Sequence, residues 1–400
     1  MKRTYYGWWV VGGSFLLLLC AVGTHFYGFP VFFDVMVRDM GWARTQAALA
    51  MTIGTLVAGS MGVLVGWLIH KIGLRPVMVG GTIVAGLGAF LLRTVTEPWQ
   101  FYLYYGCVLS IGVAGIGVIS TMTAVEAWFD RNKSTALGIA TTGIGAGGLV
   151  VPLLAGWLIS RYDWQTACVC MAGILILVGI PVSAGVMRIP WERKLRPEQA
   201  QQQRPKVGGV AIGQALRQKS FWLISIGAML WNCAYTIGLT HQVAFAVDME
   251  IDRVAAAGAV SMLGAFSIPA RIGFGKLGDI IDKRYVVMVA AGLLAVAFVV
   301  LLQTTNLAML YLYSALVGIA AGGLTPIIPG LIADYFGRRH FGAIYGALEM
   351  VTTLGIMIGP VYGGWIYDAS GSYHSAFLSG IIIALVAVVL VYLAPKPHSQ

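Results

Sequence analysis

From one end of the chain to the other, apolar stretches of about 18 to 25 residues alternate with short polar breaks. Coiled as a helix, a stretch of that length crosses a hydrocarbon layer roughly 30 Å thick. Such stretches fall near 8–33, 45–69, 76–95, 99–125, 135–160, 166–187, 220–246, 255–276, 285–303, 307–333, 341–367 and 373–393. Twelve transmembrane helices are predicted, an even number that puts both termini on one side. The runs recur throughout rather than once near the start, which argues against a secreted protein with a signal peptide. Of the 400 residues 58% are hydrophobic and 10% are charged, against roughly a quarter charged in a soluble domain. An ordinary water-soluble globule is excluded.

One polar stretch interrupts this rhythm. Residues 188–219 are rich in charge and carry Pro190, Pro197, Pro205 and the run Gln201 to Gln203. They read as a linker joining a first six-helix bundle, 1–187, to a second, 220–400. The two parts align on one another at an offset of 208 or 209 positions. Asp39-Met40-Gly41-Trp42-Ala43-Arg44 matches Asp248-Met249-Glu250-Ile251-Asp252-Arg253, Gly66 and Arg75 match Gly275 and Arg284, and Pro152 with Gly156-Trp157 matches Pro360 with Gly364-Trp365. A nearly constant offset over so many marks is the sign of an internal repeat.

Charge orients the helices. Lys and Arg resist translocation, and placing both termini in the cytoplasm gathers 20 of the 26 of them in cytoplasmic segments. Arg38, Arg44, Arg93, Arg161 and Arg253 fall in outer segments or at the outer edge of a span, and Arg271 alone lies well inside one. The net charge of +10 is thereby accounted for by topology, and nucleic acid is not an expected partner. Cys20, Cys107, Cys168, Cys170 and Cys233 sit in apolar spans without metal or redox spacing, so they read as polarizable packing groups. No metal or other cofactor is expected. The 52 glycines, clustered at Gly143 to Gly148 and Gly318 to Gly323, allow helices to approach closely in lipid.

After the second span the chain reads Gly66-Trp67-Leu68-Ile69-His70-Lys71-Ile72-Gly73-Leu74-Arg75. This resembles the signature loop of the major facilitator superfamily, with His70 where that signature has an acid. The second copy keeps the acid as Asp279 after Gly275, followed by Lys283 and Arg284. Basic groups at helix ends can hold acids or helix C-termini, so both copies read as gate latches rather than chemistry. Further matches resemble the superfamily's monocarboxylate transporter branch, with the related oxalate and formate exchangers. They are Gly7-Trp8-Trp9-Val10-Val11, Trp128-Phe129-Asp130-Arg131 followed by Ala136 to Ala140 and Gly143, and Gly359-Pro360 with Gly363, Asp368, Gly371 and Tyr373. The resemblance implies an all-α membrane protein, its twelve transmembrane helices arranged as two pseudo-symmetric six-helix bundles in the major facilitator fold.

Arg271 leads the candidate site. A guanidinium at that depth keeps its proton and costs at least roughly 2.5–3.5 kcal/mol to insert, so it needs a wet cavity or a counter-charge. Its fork of donors suits a carboxylate bidentately, although a helix-to-helix ion pair is the competing reading. The resembling family places a carboxylate-binding arginine in helix 8, which favours substrate. Two departures bear on mechanism. Animal members of that family have an acid one turn before the arginine where this chain has Ser267, and a lysine after Phe-Pro in helix 1 where Val31 follows Phe29-Pro30. Glu349 lies at a depth close to that of Arg271 and reads as an alternative protonation site or counter-charge, a fixed salt bridge or a hydrogen bond to a neighbouring helix being the competing reading. His241 and His25 titrate in the right range and join Asp34 as proton-coupling candidates, Asp34 being placed at the solvated outer end of helix 1. Asn232, Tyr235 and Tyr27, with Phe29, are candidate cargo contacts, because the resemblance puts helices 1 and 7 on the central cavity. Pro30 and Pro269 mark expected bends.

The expected function is transport by alternating access rather than enzymatic catalysis. The partners are a small monocarboxylate such as lactate or pyruvate, a proton and the lipid bilayer of a bacterial-type inner membrane, with a single chain as the working unit. No nucleotide-binding loop of the Gly-x-x-x-x-Gly-Lys-Ser/Thr kind is present. An organic-anion exchanger of the oxalate/formate type and a carboxylate sensor that moves nothing remain open beside proton symport.

Overall fold

The computed structural model describes residues 6–129, 133–188, 210–337 and 341–395. Twelve of its helices are long and apolar enough to cross a membrane. They are α1 (Tyr6–Arg38), α2 (Arg44–Ile72), α3 (Leu74–Thr94), α4 (Pro98–Trp128), α5 (Lys133–Arg161), α6 (Trp164–Val186), α7 (Lys219–Asp248), α8 (Arg253–Ile280), α9 (Lys283–Leu302), α10 (Leu307–Phe336), α11 (Phe341–Ser370) and α12 (His374–Tyr392). A single turn, Ile212–Ala215, precedes α7. No strand occurs among the described residues, as expected where lipid cannot satisfy open backbone groups and each helix bonds its own.

Contacts divide the chain into two compact units, Met1–Lys194 with Gln242–Gly264, and Leu195–His241 with Ala265–Gln400. The α7–α8 hairpin, Gln242–Gly264, groups with the first unit. Small residues explain that grouping. A methyl built on Gly264 would lie 2.5 Å from backbone atoms of Gly148 and Leu149, and one on Gly156 would lie 2.7 Å from the Ala257 methyl. Within the first unit α1 meets α5 in the same manner, Gly143 against the Phe15 backbone and Gly147 against Leu19 and Gly23.

Helix α1 carries a π turn at Gly23–Tyr27, closed by Gly28 N–H donating to the Gly23 carbonyl at 2.7 Å. The bend expected at Pro30 thus falls just before it, and Pro30 opens the helical stretch that follows. In the π register the carbonyl of His25 is due to accept from residue 30, and proline has no N–H. The hydroxyl of Tyr105, from the π segment Tyr102–Leu109 of α4, donates to that carbonyl instead. Pro269, by contrast, lies inside an uninterrupted α8. The α1–α2 and α7–α8 turns each carry one left-handed residue at repeat-related positions, Gly41 at φ +68° and Glu250 at φ +64°. The second copy holds this left-handed turn without glycine, which costs about 1–2 kcal/mol.

Candidate functional site

Arg271 sits nine residues from the Ile280 end of α8, about 14 Å at 1.5 Å per residue. Its side chain is half-buried, one turn beyond Ser267, which is 1% exposed. At i, i+4, i+7 and i+11, Ser267, Arg271, Phe274 and Gly278 form one stripe of α8. Three of the four touch α10: the Ser267 backbone crowds Gly322, the Phe274 ring lies against Gly323, and Gly278 faces Ile327. Helix packing around the arginine therefore fixes its backbone, while the guanidinium keeps partial access to its surroundings.

On α7 the rings of Trp231 and Tyr235 stack at 5.1 Å with 11° between planes, and the Asn232 amide donates to the Ala228 carbonyl at 2.9 Å. On α11 the Glu349 side chain is exposed and accepts a hydrogen bond from Tyr345 one turn earlier.

The two histidines are structural groups with partners. His241 is fully buried. Pro360 offers only a carbonyl, so Nε2–H donates to it at 2.8 Å, and Nδ1 accepts from the Tyr373 hydroxyl at 3.0 Å. Gly363 makes room for the ring, since a methyl there would come within 2.6 Å of it. Replacing His241 with phenylalanine removes both of these buried hydrogen bonds, which should cost about 1–3 kcal/mol, read as a lowered thermal midpoint in detergent. His25 stacks on Tyr105 at 5.1 Å and its Nε2 lies 2.7 Å from the Ser110 hydroxyl, which donates in turn to the Tyr105 carbonyl at 3.0 Å. Phe29, expected among the cargo contacts, is fully buried in the aromatic cluster of Phe33, Phe101 and Tyr105 and serves packing. Tyr27 packs its ring on Gly148.

Asp34 is a clear correction. Expected in solvent, it is fully buried, with Arg38 Nε 2.7 Å from one carboxylate oxygen and Arg253 Nε 3.2 Å from the other. A carboxylate so deep is tolerated because both oxygens are occupied by cations.

The signature loops tie helix ends. Gly73 closes α2 at φ +93°, a backbone suited to glycine, and Lys71 lies 4.7 Å above the Trp67 ring. Arg75 donates to the Met187 carbonyl at 3.0 Å, and its repeat partner Arg284 donates to the Ala394 carbonyl at 3.3 Å. Each arginine thus binds a C-terminal carbonyl three helices on, where the dipole favours a cation. Gly66 and Gly275 have open space where a side chain would be. The side chains of His70 and Asp279 lie outside the described residues.

Twelve helices long and apolar enough to cross a membrane indicate an integral membrane protein. The sequence matches the profile of the Major Facilitator Superfamily over residues 15–303 and 270–400, and the chain belongs to that family. It is 25% identical over 402 residues to monocarboxylate transporter 13 of Bos taurus, covering 95% of this chain and 89% of the relative. It is 28% identical over 331 residues to the MFS transporter asaE of Aspergillus flavus, covering 81% and 72%. The fold matches the crystal structure of a bacterial homolog to the human lysosomal transporter Spinster, in an inward-facing and occupied conformation. The TM-score is 0.78 at 13% identity, over 98% of this chain and 97% of that one.

Proposed function

We propose that the protein is a secondary active carrier of small monocarboxylates, moved together with a proton by alternating access between two six-helix halves joined by the 188–219 linker. The observation that carries this reading is Arg271, a permanent cation held half-buried at mid-depth of α8. Such a charge is expensive in lipid and is retained where it has work to do. A carboxylate guest answers its fork of donors. The name of the relative from Bos taurus supports the same class of cargo. Ser267, with Asn232 and Tyr235, supplies hydrogen bonds and aromatic surface around the bound anion. Glu349, exposed on α11, is the group that takes up the proton. The carrier sits in a bacterial-type inner membrane with both termini in the cytoplasm, works as a single chain and performs no catalysis.

Ser267 and Val31 stand where the resembling family has ionisable groups, and two neutral residues there favour anion exchange as a second reading. Counterflow in proteoliposomes separates the two. Proton symport yields uptake of labelled lactate driven by an inward proton gradient with nothing inside. Uptake that requires an internal anion and ignores the gradient assigns exchange. Binding with neither kind of flux contradicts transport altogether.

A further inference from the structure

A helix leaves its last carbonyls without partners of its own, and at the rim of a membrane span each needs a donor from elsewhere. At the end of α6 three other helices supply them in succession. The Tyr6 hydroxyl, at the start of α1, donates to the Val186 carbonyl at 2.9 Å. Arg75 Nε, at the start of α3, donates to the Met187 carbonyl at 3.0 Å. Trp128 Nε1, at the end of α4, donates to the Arg188 carbonyl at 2.6 Å. The segment is also closely packed: a methyl built on Gly13 of α1 would lie 3.0 Å from Val186, 3.1 Å from Val182 and 3.2 Å from Met187.

The backbone of 186–188 is therefore fixed, and with it the place from which the Arg188 side chain leaves. Its guanidinium carbon lies 5.8 Å from the centre of the Tyr6 ring, a cation–π distance, and the Tyr6 ring packs on Trp128 at 5.0 Å. Arg188 is exposed, and its guanidinium makes no hydrogen bond or ion pair among the described residues. A guanidinium resting on a ring keeps its five N–H donors for another partner. Indoles border the same corner. Trp9 follows Tyr6 by three positions, on the same side of α1, and is 62% exposed. Trp8 is 39% exposed and meets the Phe129 ring edge-on at 5.1 Å. Exposed indoles at the ends of spans suit the headgroup layer of a bilayer.

We propose that this corner, where the start of α1 meets the ends of α4 and α6, binds the headgroup phosphate of an anionic phospholipid. Arg188 offers paired donors to two phosphate oxygens, the geometry in which arginine surpasses lysine. Tyr6 and Trp128 hold the arginine in place beforehand, so less freedom is lost on binding. Trp9 adds an apolar ring and one N–H donor. A lipid fits better than a free phosphate ion. One exposed arginine binds a dissolved anion weakly, whereas the bilayer presents a headgroup at the rim of the span at high effective concentration, and basic groups at that level attract anionic lipid. The corner belongs to the first compact unit and Arg271 to the second, so the assignment stands apart from the cargo reading.

The test needs no transport. The full chain, stripped of lipid in a neutral detergent, is heated while dioleoyl phosphatidylglycerol, dioleoyl phosphatidylcholine or inorganic phosphate is added. A ligand of the folded state raises the thermal midpoint as it binds. Phosphatidylglycerol should raise it to a plateau, and the other two should do little at the same concentration. Arg188→Gln should start from the same midpoint, because the three bonds at the end of α6 use backbone oxygens and side chains of other helices. It should need about tenfold more phosphatidylglycerol for half the rise, the weight of one charge-assisted contact. Arg188→Lys should fall between, keeping the charge without the fork. Tyr6→Phe loses the bond to Val186 and keeps the ring, so its midpoint should start lower while its lipid response stays unchanged. Equal half-saturation in the unsubstituted chain and Arg188→Gln overturns the assignment, as does the absence of any rise with phosphatidylglycerol. So does phosphatidylcholine as effective as phosphatidylglycerol, which is binding blind to charge. Inorganic phosphate as effective as the lipid would mark a site for a dissolved anion and overturn it likewise.

Discussion

Replacing Arg271 with glutamine should lower monocarboxylate uptake about a hundredfold while the carrier remains folded. Glutamine reaches most of the way along the arginine stem and keeps a hydrogen-bond donor, so the change removes the charge and the second prong of the fork. A charge-assisted pair in a partly dry site contributes about 1.5–3 kcal/mol, and each 1.4 kcal/mol is tenfold in binding. The fold should survive the change, because the neutral amide carries none of the insertion cost of a charge at that depth, at least roughly 2.5–3.5 kcal/mol. An unchanged or raised thermal midpoint in detergent, together with lost uptake, is the expected pair of readings. Arg271→Lys should fall between, since the ammonium keeps the charge but not the planar donor geometry. Equal uptake by all three proteins would remove Arg271 from the cargo path.

The second large effect concerns folding. Gly355, Gly359 and Gly363 stand at i, i+4 and i+8 on α11 and form a groove for α7. A methyl built on Gly355 would lie 2.0 Å from the Met229 carbonyl, one on Gly359 2.2 Å from the Thr236 hydroxyl, and one on Gly363 2.6 Å from the His241 ring. The first of these obstacles is backbone, which cannot swing aside, so the helices must part. Helix association in lipid rests on close packing, with little hydrophobic drive to compensate. Gly355→Ala should lower the thermal midpoint, overpacking costing typically 1–3 kcal/mol, and Gly355→Leu should give no monodisperse peak on size exclusion. Gly346, on the same helix, has no atom within 4 Å of a built methyl. Gly346→Leu should therefore express and run as the unsubstituted chain does. A folded Gly355→Leu would contradict this account of the α7–α11 contact.

The spans and the small-residue contacts were legible in the sequence for one reason. Both follow from local composition: a helix long enough to cross lipid must be apolar along its length, and helices that touch through their backbones must carry glycine. The repeat was legible because its marks keep a constant offset. The partners of those marks were not. Arg44 and Arg253 entered the sequence reading as repeat marks and outer-loop charges, Arg38 as an outer-loop charge alone, and Asp34 as a solvated acid among the proton-coupling candidates. Apart from Arg38 with Asp34, one turn apart, their pairing spans more than 200 positions, which neither periodicity nor charge counting reports. His25 and His241 were read as titrating groups on their residue type. Their hydrogen-bond partners, Ser110, Tyr373 and the Pro360 carbonyl, are distant in sequence and became visible only with the fold. The π turns in α1 and α4 were hidden as well, because hydropathy records which residues are apolar and not which carbonyl each N–H reaches. Phe29 followed the opposite course: an aromatic on a helix that the resemblance puts on the central cavity suggested cargo, and close neighbours from α4 bury it.

The central claim is that a negative carboxylate is held by Arg271, and binding to purified protein tests it without the complications of flux. Calorimetric titration of the unsubstituted chain and of Arg271→Gln with lactate and with lactamide, its uncharged amide, compares the same shape with and without the charge. Binding of lactate at least about tenfold tighter than lactamide, with that preference lost in Arg271→Gln, is the result expected here. An acid preference that survives the loss of Arg271, or a carrier that binds acid and amide alike, would contradict it.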